Sequence, residues 1–447
     1  MHLKRRAFLK TLTHSAAASV CVPTLISREV LGQNGTGGAN DRIGIAGIGV
    51  GRRGREVFLD ACRQAGAQAV CACDAFLPRA ESVARQAGLT ESEGTCGWVA
   101  IQDYRKVLDR KDVDAIVTAT PEHWRSLICV NAALAGKHIY AEKPMSLTVS
   151  EGRLMVKAAR KMKVTFQVGS MQRSMRENRI GCDFIQRGGL GKIQEVVAAN
   201  YESPWLAALP EDPIPAGLDW DLWCGPTEPV PFNREIFTPR GNPGWLSFRP
   251  YSGGEMTGWG THGLDQIQLA LGMQETGPVE ILVEGGALVP PCYEKPEDRN
   301  RGNALCGEPR LSFTYANGIR VWLGKPDGTQ SNRGGAIFYG EKGKMEIFRA
   351  NLTSNPAEMA QDLLKNSPIQ GQSHTRNWLD CIRSGETPID DCEFGHRTAS
   401  LCHILNAARY LGRSLKWDPA AEEFVGDAEA NSFLSREHRK GFELPNF

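Results

Sequence analysis

The sequence predicts an α/β protein, with a doubly wound parallel sheet over residues 41–168 and a second domain of different character over residues 169–447. Two observations carry the first part: apolar strands alternate with amphipathic helices from Arg42 to Val168, and a glycine turn joins the first strand to the first helix. A third is length, because 447 residues exceed what one hydrophobic core usually organises. An apolar fraction of 41% and a charged fraction of 23% are ordinary for a globular chain. Lysine and arginine (52) balance aspartate and glutamate (51), so charge gives no reason to expect nucleic acid as a partner.

Taken in order, Arg42–Ile48 (RIGIAGI) reads as a buried parallel strand. It runs into Gly49-Val50-Gly51-Arg52-Arg53-Gly54 and then a helical stretch over Arg55–Ala65. In G-x-G-x-x-G the first glycine allows a tight turn. The second lets backbone approach a pyrophosphate, and the third permits close helix–strand packing. The phosphates then lie at the positive end of the helix. Gly47 offers a second register for these roles. The next strand, Gln68–Cys73, ends at Asp74, twenty positions after Gly54. An acid there accepts hydrogen bonds from an adenosine ribose and repels a 2′-phosphate, which favours NAD, while nearby Arg79 leaves NADP open. Ala115–Thr120 is a further strand, followed by Pro121, His123 and a helix ending before Gly136. His138–Ala141 leads to Glu142-Lys143-Pro144, Thr148 and Glu151 form a capping box, and Val164–Val168 closes the series. This is the rhythm of a Rossmann domain, whose ligands sit at the carboxyl ends of the strands. Arg53, Thr120, Pro121 and His123 join Gly49, Gly51, Gly54 and Asp74 as expected cofactor contacts.

Thirteen cysteines at irregular spacing give no disulfide framework, and Cys71 and Cys73 read as small hydrophobes within a strand. No group of histidine, cysteine and acid has metal-ligand spacing, so no metal is expected. Residues 1–40 read as an address followed by a glycine-rich linker, Gly32–Asn40. Arg5-Arg6 followed by Ala7, Phe8, Leu9 and Lys10, and then a mildly apolar stretch, resembles a twin-arginine signal. The alternative is a basic tail. That resemblance implies recognition by the twin-arginine export machinery and a periplasmic location, with a membrane anchor if the signal is not cleaved. Free nicotinamide cofactor is scarce there, so an exported dehydrogenase either retains its cofactor or passes electrons on.

The stretch AGKHIYAEKPMSLTVSEG, with Ala141-Glu142-Lys143-Pro144 at its centre, closely resembles the signature of the Gfo/Idh/MocA oxidoreductases. TATPEHW (Thr118–Trp124) and VGSMQRSM (Val168–Met175) are also similar to that family. So are SHTRNWLDCIRSG (Ser373–Gly385) and the closing NSFLSREHRKGFEL (Asn431–Leu444), which are closest to its exported, planctomycete-like branch. The resemblance implies a second, α+β domain with an open, mostly antiparallel sheet, one face over the nicotinamide and the other often used in homo-oligomers. It implies that Lys143 reaches the nicotinamide ribose and a substrate hydroxyl, that Glu142 contacts the same ribose, and that Pro144 fixes the turn. An isolated E-K-P is a surface turn. At the carboxyl end of a strand in this fold it becomes a site.

Past Gly169 the β-like runs are Ile193–Asn200, Val279–Val283, Arg310–Tyr315, Arg320–Leu323 and Ala336–Tyr339, separated by long Gly- and Pro-rich loops. The loop Leu218–Pro250 carries Trp220, Trp223, Phe232, Phe237, Trp245 and Phe248, which suit either a sugar platform or plain loop anchoring. In Ser252–Leu271 the resemblance matches His262 to a proton-accepting histidine and Asp265 to a frequent acid one turn on. Many members carry an aspartate four residues before that histidine, where this chain has Gly258. The expected activity is hydride transfer between NAD (or NADP) and a sugar or polyol, with Lys143, His262 and Asp265 catalytic. Two alternatives remain. Thr261–Leu264 (THGL) is similar to redox-neutral, NAD-dependent glycosidases on the same scaffold, and Gly258 also suits an exported sugar-binding protein without catalysis.

Overall fold

β1 (Ile43–Ile48) is buried along its whole length, as an apolar central strand of a parallel sheet must be. The computed structural model describes residues 42–89, 99–238, 244–295 and 297–446, and the expected export signal and linker at residues 1–40 lie outside the described residues. β1 is followed by β2 (Ala67–Cys73), β3 (Ala100–Ile101), β4 (Ala115–Thr118), β5 (His138–Ala141) and β6 (Phe166–Val168). They form one parallel sheet in the order β3-β2-β1-β4-β5-β6. The order reverses at β1, so the carboxyl ends of β1 and β4 flank the switch point where ligands bind in such sheets.

The helices between the strands bury apolar faces on this sheet. Val57, Phe58 and Ala61 of the helix Arg52–Arg63 pack on one side with Ile45, Ala72 and Val117. On the other side Leu127, Ile128 and Val130 of Glu122–Leu134 pack with Ile48, Ile116 and Ile139. The helix Glu122–Leu134 is buried on nearly every side, including Glu122, His123 and Arg125. The capping box forms: Thr148 Oγ1 accepts from Glu151 N at 3.3 Å, and Glu151 Oε2 accepts from Leu147 N at 3.2 Å.

The second sheet contains β7 (Ile193–Ala198), β9 (Glu280–Glu284), β11 (Arg310–Thr314), β12 (Arg320–Leu323), β13 (Ala336–Gly340), β14 (Gly343–Phe348), β15 (Asn351–Asn355), β16 (Leu415–Asp418) and β17 (Glu423–Phe424). Its order is β15-β14-β13-β7-β12-β11-β9-β16-β17, antiparallel throughout except for the β7–β12 pair. One face buries Val196, Phe313, Val321, Phe338 and Met345 against Ile180, Leu264, Ile267, Leu401 and Leu405 of three helices, Arg176–Gln186, Gly260–Ala270 and Cys392–Leu411. A short pair, β8 (Leu206–Ala207) with β10 (Cys292–Tyr293), stands apart in the aromatic loop region. All five β-like runs of the second half are strands. The sequence reading passed over β14 to β17 because their apolar residues are few: in β14 only Met345 and Ile347 point to the core, and Lys344 is exposed.

One ion cluster links the end of the first sheet to the helices over the second. Arg173, in the turn Met171–Ser174 after β6, reaches Asp265 Oδ1 at 2.7 Å from Nη2 and Oδ2 at 2.9 Å from Nε. Its Nε lies 3.4 Å from Asp390 Oδ1, and its Nη1 donates to Gln274 Oε1 at 2.9 Å. Arg173 and Asp265 are each 1% exposed. Burial pushes the Asp390 carboxyl above its usual range, against the pull of Arg173. Replacing Arg173 by leucine would leave two acids in the interior without their cation. We expect Arg173→Leu to lower unfolding free energy by about 3–5 kcal/mol, measured by urea denaturation of the full chain.

Candidate functional site

The turn after β1 is built so that only glycine serves at two of its positions. Gly49 has φ +72°, and a Cβ there would sit 2.6 Å from Thr120 Cγ2. A Cβ on Gly54 would lie 2.1 Å from Gly49 O, so the helix packs directly on the turn. Gly51 is different: a Cβ there meets nothing within 4 Å, leaving open backbone at the helix N-terminus where an anion can approach. Gly47 faces inward, its Cβ position 2.8 Å from Val50 Cγ1 and 2.9 Å from Phe58 Cγ. The register is therefore Gly49, Gly51 and Gly54.

Beyond this turn lies a cleft lined by Gly51, Arg53, Gly54, Asp74, Thr120 and Pro121 among others. Asp74 is buried at the end of β2, and its Oδ1 accepts from Phe76 N at 3.0 Å and from Arg79 Nη1 at 3.1 Å. Burial pushes its carboxyl up, while Arg79 pulls it back. Arg79 is thereby drawn onto Asp74, and its guanidinium lies 5.0 Å from the Phe237 ring centroid. The open glycine backbone, the helix N-terminus and an acid one strand over fit a dinucleotide.

Next to the cleft, the carboxyl end of β5 carries Glu142, Lys143 and Pro144. Glu142 N donates to Thr118 O at 2.9 Å, placing this turn beside the end of β4. The buried guanidinium of Arg125 donates to both Thr120 O and Pro144 O and so ties the two turns together. The Lys143–Pro144 peptide bond is cis. Arg53 Nε donates to Glu142 Oε1 at 2.7 Å. Lys143 Nζ donates to Gly258 O at 2.7 Å, across the boundary between the two sheets. His262 follows Gly258 by one helical turn, in the first turn of Gly260–Ala270. Its Nε2 lies 3.3 Å from Arg349 Nη2. Arginine only donates, so Nε2 is the acceptor in that contact.

Two expected site residues lie elsewhere. His123 does not line the cleft: it is fully buried between Trp223 and Tyr251, and its Nε2 meets Trp223 O at 3.0 Å. Burial pushes its ring down to about 3, so it stays neutral and anchors the loop. Asp265 is not a proton carrier beside His262. Its carboxylate is taken up by Arg173 and by Thr398 Oγ1 at 3.2 Å, in the interior between the two sheets.

Other residues at the site were not read from sequence. Glu122 is a fully buried carboxylate that accepts from Ser252 Oγ at 2.8 Å, Gly253 N at 2.9 Å and Thr257 Oγ1 at 3.0 Å, and burial pushes it above the usual range. It pins the loop that leads into His262. Arg349 arrives from the turn between β14 and β15, strands whose pattern is too weak to place it. Trp223, Phe237 and Trp245 line the cleft together with Asp74, so three of the loop aromatics form part of its wall. Trp220 stacks on Trp223 at 4.5 Å, and Phe232 and Phe248 lie within the loop core.

Residues 42–170 match the family model described as "Oxidoreductase family, NAD-binding Rossmann fold", and residues 192–444 match "Oxidoreductase family, C-terminal alpha/beta domain". The chain belongs to the Gfo/Idh/MocA oxidoreductase family. Its curated relatives include a glycosyl hydrolase family 109 protein of Shewanella pealeana, 26% identical over 46% of this chain and 48% of that protein. They also include scyllo-inositol 2-dehydrogenase (NAD(+)) of Bacillus subtilis, 33% identical over 24% of this chain and 29% of that protein. The chain thus spans half or less of the length of these curated relatives. Among solved structures, levoglucosan dehydrogenase in complex with NADH and levoglucosan superposes with a TM-score of 0.56 at 16% identity, over 84% of this chain and 99% of that one. At that identity the likeness speaks for the fold.

The cofactor of this Gfo/Idh/MocA protein is NAD, and the cradle predicts how it fails. A methyl group at position 54 would force Gly49 O away from the phosphate turn. We expect Gly54→Ala to weaken NAD binding by about tenfold or more, a loss of roughly 1.4 kcal/mol, measured by calorimetric titration of nucleotide-stripped protein. Asp74→Ala should shift preference toward NADP in the same measurement, because the repelling carboxylate is gone.

Proposed function

We propose that this protein transfers a hydride between bound NAD and a hydroxyl-bearing carbon of a sugar or polyol. The observation that carries the proposal is the 2.7 Å contact from Lys143 Nζ to Gly258 O, which brings the Glu142-Lys143-Pro144 turn against the helix bearing His262. A cofactor cleft on one side and a histidine-bearing helix on the other then share one lysine. The inositol dehydrogenase among its curated relatives supports the substrate class.

Bound NAD supplies a nicotinamide carbon that accepts or returns hydride. The chain supplies the proton handling. His262 takes the hydroxyl proton on Nε2 once the substrate hydroxyl displaces Arg349 from that nitrogen. The ammonium of Lys143 donates to the substrate oxygen and holds the negative charge that develops there. Arg349 adds a second cation at the same end. The Arg53–Glu142 pair keeps the Glu142 carboxylate oriented at the cofactor side of the lysine. Gly258, where many members carry an acid, contributes its carbonyl to Lys143, so the lysine is positioned by backbone in place of a carboxylate. An exported location, as residues 1–40 are read, favours keeping the nucleotide through many turnovers.

The test is single-turnover reduction of bound NAD by a panel of sugars and polyols, followed by the absorbance of reduced nicotinamide. With a responding sugar, His262→Ala and Lys143→Met should each lower the rate by about 10²–10⁴-fold. Rates within about twofold of wild type for both variants would remove these residues from the chemistry.

A second reading is favoured by the similarity to the glycosyl hydrolase family 109 protein. In it the hydride leaves the sugar and returns to it, so glycoside is cleaved without net change in nucleotide. Release of nitrophenol from a nitrophenyl glycoside with no accumulating NADH would select it over net oxidation.

A further inference from the structure

The aromatic loop lines the cofactor cleft, and C-terminal residues pack on Trp124 and on the short helix Trp220–Cys224 behind it. We propose that Trp223, Phe237 and Trp245 form a cover over the adenosine end of the dinucleotide, and that the C-terminal strap Arg436–Phe442 latches this cover, so that the nucleotide is a resident group. The proposal rests on the NAD reading above and adds to it the residues that keep the nucleotide in place.

The cover is stitched to the Rossmann sheet where adenosine would lie. Leu77 N donates to Gly217 O at 3.0 Å, and Asp219 N donates to Ala75 O at 3.0 Å. Gln102 Nε2 bridges both partners, 2.8 Å from Ala75 O and 3.2 Å from Gly217 O. These bonds flank Asp74, the ribose acid, and fix the start of the loop that carries Trp223. Trp223 itself is held from below: Trp124 Nε1 and His123 Nε2 approach its carbonyl at 2.9 and 3.0 Å. Gly225 makes this possible, since a Cβ there would lie 2.2 Å from the Trp124 ring. Phe237 closes the side through Arg79 and through an edge contact with Phe76, centroids 6.0 Å apart. Trp245 lines the cleft with them and is partly exposed. An aromatic wall suits an adenine, because any base offers it a π-face.

The strap lies over the outer side of the same assembly. Arg439 N donates to Pro226 O at 3.0 Å, and its Nη1 pairs with Asp221 Oδ1 at 2.7 Å, on the short helix that carries Trp223. The Phe442 ring meets Trp124 edge-on at 5.5 Å, with the Arg439 guanidinium 4.5 Å above it. The strap is anchored at its other end by a buried carboxylate. Glu151 Oε1 accepts from Arg436 Nε at 2.7 Å and meets His438 Nε2 at 2.8 Å, while Arg436 Nη2 donates to His123 O at 2.7 Å. Burial opposes a charge on Glu151, but Arg436 and His438 overcome it and hold the acid down to about 2. The strap therefore touches Trp124 and His123, whose side chains hold the Trp223 carbonyl, and Asp221 on the same short helix as Trp223.

The experiment measures exchange of bound NAD for the fluorescent etheno-adenine analogue of NAD in the full-length protein. Wild type should exchange slowly. Trp245→Ala and the strap double variant Arg439→Ala/Phe442→Ala should each release nucleotide about tenfold faster or more. Combining the two changes should give less than the product of their separate effects, since both act on one cover. Trp245→Phe should restore slow exchange, which a loss of mere bulk stability would not predict. Should Trp245→Ala fail to fold, as judged by circular dichroism in excess NAD, the strap variant carries the test alone. Wild-type exchange rates in the strap variant, with nucleotide still bound, would overturn the latch and leave the NAD reading standing. A wild-type protein that holds no nucleotide and binds none when it is added would overturn both.

Discussion

Arg173 carries its charge into an interior where neither it nor its carboxylate partners reach solvent, and the relative placement of the two sheets depends on the geometry that satisfies it. The guanidinium sits just past β6 and takes Asp265 from the helix that carries His262. It also faces Asp390, whose backbone carbonyl accepts from Val168 N at 2.8 Å and whose Oδ2 accepts from Ser170 N at 3.1 Å. A buried ion cluster of this kind is directional in a way that apolar packing is not. Its gross attraction offsets a large desolvation cost only when every partner is in place, so a shifted helix would be penalised by several kcal/mol. His262 is three residues from Asp265 on that helix. Its position relative to Lys143 is therefore set in part by a charge network one turn away, together with the Lys143–Gly258 contact.

Arg125 and Glu122 do the same work nearer the cofactor. Both lie in the first turn of the helix after β4, and both are buried. Arg125 is pushed below its usual range by burial, yet it spans the carbonyls of Thr120 and Pro144. Glu122 reaches the opposite way, to Ser252, Gly253 and Thr257. One helical turn thus fastens the phosphate side, the lysine turn and the histidine loop to each other. Pre-organisation of this kind lets a few polar groups hold charge developing on a reacting oxygen without rearrangement.

Much of the first sheet was legible because strand, glycine turn and helix each leave a local mark. Ile139–Ala141 and Ala115–Thr118 are short, buried, mostly apolar runs, and Gly49, Gly51 and Gly54 differ in what surrounds them as their roles require. What could not be read is what depends on distant pairing. Asp265 is matched to a site acid only through the family resemblance, and the approach of Arg173 shows its carboxylate engaged in the interior. His123 lies within a motif that lines the cleft, yet helical rotation turns its ring to Trp223 while Pro121 and Trp124 face the cavity. The loop aromatics carried two readings, and the structure adds a third. Their indole and phenyl rings serve both as a loop core and as a wall of the nucleotide cleft. The closing stretch Asn431–Leu444 was visible as a family feature, but its pairing with Glu151 and Asp221 is a matter of tertiary contact.

The central claim is that this fold is organised around NAD held between the glycine turn and the Lys143–His262 region. It is tested most directly by releasing nucleotide from extensively dialysed, full-length protein by denaturation and identifying it by chromatography. The account predicts NAD or NADH at close to one equivalent per chain. Protein that carries no nucleotide, and that fails to bind NAD or NADP when either is supplied, would contradict it.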